Sequence, residues 1–109
     1  MNRNYTPVTD METLDRLVEQ SHQEPVVLFK HDPFCPISAA AHRELQQVPE
    51  PVSLIDVEHE THISAEVAKR TGVQHESPQV IVLNQGGPAW SASRYEITQE
   101  AVGKALQKR

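Results

Sequence analysis

The stretch Val26-Val27-Leu28-Phe29-Lys30-His31-Asp32-Pro33-Phe34-Cys35-Pro36-Ile37-Ser38 constrains this chain more than any other. Its first four residues form a continuous apolar run of β-branched and aromatic side chains, the pattern of a strand buried on both faces. A loop follows, and then Cys35 stands directly before Pro36. Proline is favoured at the first position of a helix, where its missing N–H costs nothing. Ile37, Ala40, Ala41, Leu45 and Val48 continue at helical spacing. The spacing predicts a helix over 36–47 with Cys35 at or beside its N-cap. Free backbone amides and the positive end of the helix dipole there favour a thiolate over a thiol. Lys30 and His31, at the end of the strand, are candidates for tuning that ionisation, although His31 also fits an exposed loop residue.

Cys35 is the only cysteine, so it is either a free reactive thiol or a small packed apolar residue; its seat between a strand and Pro36 favours the first. A chain of 109 residues supports one core, hence a single domain over 1–109. Ten Lys and Arg against fifteen Asp and Glu leave a net charge of -5, which argues against nucleic acid or an anionic membrane as partner. The opening residues are polar and no apolar run approaches the roughly 20 residues of a membrane span. The expectation is a cytoplasmic monomer.

In chain order, Tyr5 to Val8 could form a short edge strand, limited by Pro7. Thr9-Asp10-Met11-Glu12 has capping-box spacing and opens a helix, striped by Met11, Leu14, Leu17 and Val18, that ends near Ser21. Gln23-Glu24-Pro25 breaks it before the strand that begins at Val26. Pro49 and Pro51 stop the cysteine helix, and Val52–Val57 reads as a second strand, completing a right-handed parallel βαβ unit. Thr61 is placed to cap a helix that buries Ile63, Val67 and Ala68 and stops at Gly72. Gln79–Leu83 is a third strand opened by Ser77-Pro78, and Asn84-Gln85-Gly86-Gly87 turns it into a fourth at Ala89–Ser93, with Trp90 read as core. Thr98 caps the last helix, Ile97 and Val102 staple it, and Lys104, Lys108 and Arg109 suit its C-terminal end.

The resulting order, αβαβαββα with a cysteine on the first βα turn and a proline opening the third strand, is that of the thioredoxin fold: an α/β domain with a central four-stranded mixed sheet flanked by helices. Lys30-His31-x-x-x-Cys35-Pro36-Ile37-Ser38, together with Ser77-Pro78-Gln79-Val80 and Trp90, resembles the YtxJ-type monothiol bacilliredoxins of the bacillithiol system. Phe34 stands where that family's motif has threonine, and Ser93-Arg94-Tyr95 where relatives often read Ser-His-Trp. The resemblance implies that Cys35 is the nucleophile within the motif Pro36, Ile37 and Ser38. It also implies that Ser77-Pro78 is cis and that Phe34, Ser77 and Pro78 bind substrate. Implied partners are S-bacillithiolated proteins, with bacillithiol as thiol co-substrate and no bound cofactor.

A two-cysteine oxidoreductase carries its resolving thiol where this chain has Ser38, and a hydroxyl neither attacks nor leaves in thiol exchange. Cys35 can therefore accept a thiol adduct but not expel it internally. Ser38 either donates a hydrogen bond to the thiolate or is an ordinary polar residue of the first helical turn. His42, His59, His62 and His75 do not make a metal site with one cysteine, since such sites need three or four converging groups. Two other functions stay open: a binding module or iron–sulfur carrier using Cys35 as ligand, and a redox-inert protein with a packed cysteine. Glutaredoxin-like cluster carriers usually show Gly-Phe after the cysteine, unlike Pro36-Ile37.

Overall fold

The computed structural model describes residues 4–107; Lys108 and Arg109, assigned above to the end of the last helix, lie outside them, as do the first three residues. Five strands, β1 (Tyr5–Pro7), β2 (Val26–His31), β3 (Val52–Asp56), β4 (Gln79–Asn84) and β5 (Gly87–Ser93), make one sheet in the order β1-β3-β2-β4-β5. Four helices accompany them: α1 (Met11–Gln20), α2 (Pro36–Leu45), α3 (Thr61–Thr71) and α4 (Gln99–Gln107). The thioredoxin-type α/β architecture is as expected, with one strand more than the central four. The addition is β1, which pairs in parallel with β3 despite Pro7. Val52 donates to the Asn4 carbonyl and Val8 donates to that of Leu54, so these two residues bracket the strand on its bonded side. Proline's missing N–H falls on the outer side of the edge, where nothing needs it.

β2 is central, parallel to β3 and antiparallel to β4. Its alternating side chains feed two separate cores. Val27 and Phe29 join Ala41, Leu45, Val102 and Leu106 on the α2/α4 side, while Val26 and Leu28 join Leu14, Ile63 and Val67 on the α1/α3 side. Burial on both faces is why the sequence here runs apolar without alternation. Trp90 packs, partly buried, against the α2/α4 core.

Helix starts differ in detail from the sequence reading. Asp10, not Thr9, caps α1 by accepting the Thr13 amide at 2.7 Å. α3 begins at Thr61 itself, after Glu60. Asp56 holds the preceding turn by accepting the amides of Glu58 and His59, which supplies the order that a Thr61 cap would have given. Thr98 does cap α4, accepting from Ala101 at 3.1 Å. Gly72 ends α3 at φ +74°, in the left-handed region that glycine occupies without strain. Among the described residues no helix is long and apolar enough to cross a membrane.

Candidate active site

The register gathers the distant motifs at one end of the sheet. Lys30, next to last in β2, pairs with Gln79, first in β4, and Gln79 pairs in turn with Ser93, last in β5. The loop carrying Cys35, the Ser77-Pro78 dipeptide and the 3-10 turn Arg94–Glu96 therefore share the edge where β2 and β3 end, the usual location of sites in open α/β sheets. The Ser77–Pro78 peptide is cis. The Pro78 carbonyl accepts the Arg94 amide at 3.1 Å, and Arg94 is held there at φ +54°.

Cys35 is the N-cap of α2, extended at φ -110° and ψ 122°, with Pro36 following in the first turn. Its amide donates to the Asp32 carbonyl at 3.1 Å, and its own carbonyl accepts from Ala39, so the backbone is fixed on both sides. The side chain makes no capping bond and is half-buried at the start of the helix. Phe34 beside it is 77% exposed, a large apolar surface presented to whatever approaches the thiol. Ile37 is half-buried, whereas Pro78 is buried.

Ser38 is fully buried, and its hydroxyl is engaged by β2 rather than by the thiol. The Asp32 amide donates to Oγ at 2.9 Å, and Oγ lies 2.7 Å from His31 Nδ1. The accounting closes if the hydroxyl accepts from Asp32 and donates to a neutral imidazole. Burial lowers the His31 imidazole below its usual range and His42 adds to this, with Asp56 and Asp32 opposing. His31 and His42 sit with ring centroids 4.9 Å apart, and Tyr5 stacks on His42 at 4.4 Å while donating to its carbonyl at 2.6 Å.

Lys30 points the other way, because neighbours on a strand face opposite sides. Its ammonium is buried under α3 and reaches His75 Nδ1 at 3.1 Å, the same atom that Ser64 Oγ meets at 3.1 Å. Burial brings Lys30 down to about 8. Of the two residues singled out for tuning, only His31 faces the cysteine helix. Nothing in the sequence places His75, Ser64 and Gln79 beside Lys30, although strand alternation alone separates Lys30 from His31. The histidines disperse: His59 pairs with Asp56 at 2.9 Å, and His75 belongs to the Lys30 cluster.

The family pattern of the monothiol bacilliredoxin BrxC matches residues 6–102, nearly the whole described chain and all of the site. The chain belongs to the monothiol bacilliredoxin family. Solved structures resemble this bacilliredoxin over most of its length. A protein described as having a thioredoxin fold superposes with a TM-score of 0.87 at 24% identity, covering 94% of this chain and 93% of its own. Mitochondrial thioredoxin 3 of Saccharomyces cerevisiae gives 0.74 at 14%, covering 96% and 95%. The thioredoxin of Trypanosoma brucei brucei gives 0.75 at 12%, covering 98% and 91%. At these identities the structures speak for the fold, and the family assignment speaks for thiol redox chemistry.

Proposed function

We propose that this bacilliredoxin removes bacillithiol from S-bacillithiolated proteins by thiol–disulfide exchange at Cys35. One observation carries the reading: the sole cysteine caps a helix N-terminus with no side-chain bond, while the residue in the resolving position, Ser38, is a buried hydroxyl bound to His31 and Asp32. The Cys35 thiolate attacks the bacillithiol sulfur of the substrate disulfide. One S–S bond breaks and one forms, the target protein leaves as a thiolate that takes a proton from water, and Cys35 is left as a mixed disulfide with bacillithiol. No second thiol stands by to expel the adduct, so a separate thiol regenerates the protein.

Phe34, Ser77 and Pro78 form the receiving surface in this reading, Pro36 and Ile37 fix the helix start, and His31 acts on the thiol indirectly through Ser38. Neutral His31 leaves the first turn of α2 free of a competing cation. Lys30 has its ammonium on the opposite face, so any influence on Cys35 is through the field of a buried charge. The co-reactants of the exchange are thiols.

The test is to incubate an S-bacillithiolated protein with wild type and with Cys35→Ser and to follow the mass of that substrate. Wild type should strip the 1:1 adduct and Cys35→Ser should leave it in place. Equal loss with both proteins would sink the proposal.

A further inference from the structure

Arg43 on α2 and Arg94 on the 3-10 turn line one groove, of about 210 Å³, with Ile37, Ala40, Glu44 and Tyr95. Both arginines are exposed, and among the described residues neither has an ion-pair partner, whereas Arg16, Arg70 and Lys104 each pair with a carboxylate. Glu44, the one acid in the groove, spends its Oε1 on the Gln99 amide at 2.8 Å, at the N-terminus of α4. Unpaired guanidinium groups flanking an apolar floor, on a chain of net charge -5, make a local site of opposite sign.

The groove starts at Ile37, the second residue of α2, and runs along the helix to Arg43. Cys35 stands two residues before Ile37, so the eight residues from Cys35 to Arg43 rise about 12 Å, and a small-thiol moiety linked through the Cys35 sulfur must extend along α2 to meet that arginine. Arg94 lines the groove across from it, and its backbone is held by the amide bonded to the Pro78 carbonyl.

We infer that this groove seats the small-thiol half of the Cys35 mixed disulfide, and that Arg43 and Arg94 select thiols bearing carboxylates. The inference rests on the exchange reaction proposed above and adds to it a specificity device. Each guanidinium can offer two parallel N–H donors to one carboxylate, a geometry that lysine or an amide cannot supply.

The experiment follows, by intact mass against time, the addition of glutathione to Cys35 from glutathione disulfide and from its diethyl ester disulfide, which has the same skeleton without carboxylates. In each case the thiolate attacks one sulfur, joins that half to Cys35 and releases the other half as a thiol. The ratio of acid to ester rates is the readout. It should fall about two- to fivefold in Arg43→Gln and in Arg94→Gln, and further in Arg94→Glu, while Arg16→Gln, an equal charge change on α1, should keep the wild-type ratio. Loss of the preference on raising salt should be steeper for wild type than for the groove variants. The same ratio in Arg43→Gln, Arg94→Gln and Arg16→Gln would overturn the inference and leave the exchange reaction standing. Weakened reaction with a bacillithiolated protein at an unchanged ratio would overturn it too, because the arginines would then be reading the protein. No addition from either disulfide would overturn the inference, and the bacillithiolated-protein assay above decides the exchange reaction separately.

Discussion

Ser38 is the residue on which the difference from a two-cysteine exchanger turns, and its hydroxyl has a definite task. It ties the first turn of α2 to the end of β2 through His31 and the Asp32 amide, both within 2.9 Å. Ser38→Ala would leave a buried N–H and an imidazole nitrogen without partners, a loss of about 1–3 kcal/mol, measurable by urea denaturation. A stability unchanged within error would mean that water replaces the hydroxyl and that Ser38 does not brace the site. The place of Cys35 was legible because two independent signals agree, an apolar strand before it and a helix-starting proline after it. The partner of Ser38 was not, because a hydrogen bond across seven residues depends on how the intervening loop closes. Lys30 and His31 show the same limit in reverse: adjacent letters, opposite faces, and only the alternation of the strand says so.

Among the elements, the β4–β5 hairpin turn illustrates how a local signal is used in a non-local contact. Gln85 and Gly86 both have positive φ, at 57° and 82°, and the Gly86 amide donates to Ser21 Oγ at 2.9 Å at the end of α1. A Cβ on Gly86 would stand 2.9 Å from the His22 ring. Gly86→Ala therefore combines backbone strain with a clash, and should lower the unfolding free energy measured in urea by about 1–2 kcal/mol without abolishing the adduct on Cys35. Asp10→Ala should lower stability in urea through loss of the α1 cap, whereas Thr9→Ala should change it little; the reverse order would restore Thr9 as the cap. Asn-Gln-Gly-Gly announced the turn, but which of Thr9 and Asp10 caps α1 was ambiguous because both are good capping residues one position apart. β1 was faint for another reason: three residues with a proline carry too little pattern, and its pairing is decided by β3 in tertiary contact.

The whole molecule should report its buried base in its pH dependence. Lys30 titrates near about 8 when folded, well below an unfolded lysine, so between those values the unfolded chain binds the extra proton. Stability then rises with pH from about 8 upward, by roughly 1–3 kcal/mol across the window, and Lys30→Met should flatten that rise. Above about 10 the Tyr5 hydroxyl, raised by burial, works the other way because the folded chain holds its proton, so the comparison belongs at pH 8–9.5. His31, His42 and His75 are all lowered by burial, so stability should fall as pH drops below the unfolded histidine value of about 6.5. A urea midpoint independent of pH from 8 to 9.5 would contradict the burial of a charged Lys30. The chemistry asks for a single mass measurement on the chain itself. After exposure to an S-bacillithiolated protein and removal of free thiols, wild type should persist as a one-to-one adduct carrying bacillithiol on Cys35. Ser38→Cys should instead convert to an internal disulfide, and Cys35→Ser should carry nothing. Wild type that stays unmodified while the substrate loses its bacillithiol, or that sheds the adduct with no thiol added, would contradict a one-cysteine exchange centred on Cys35.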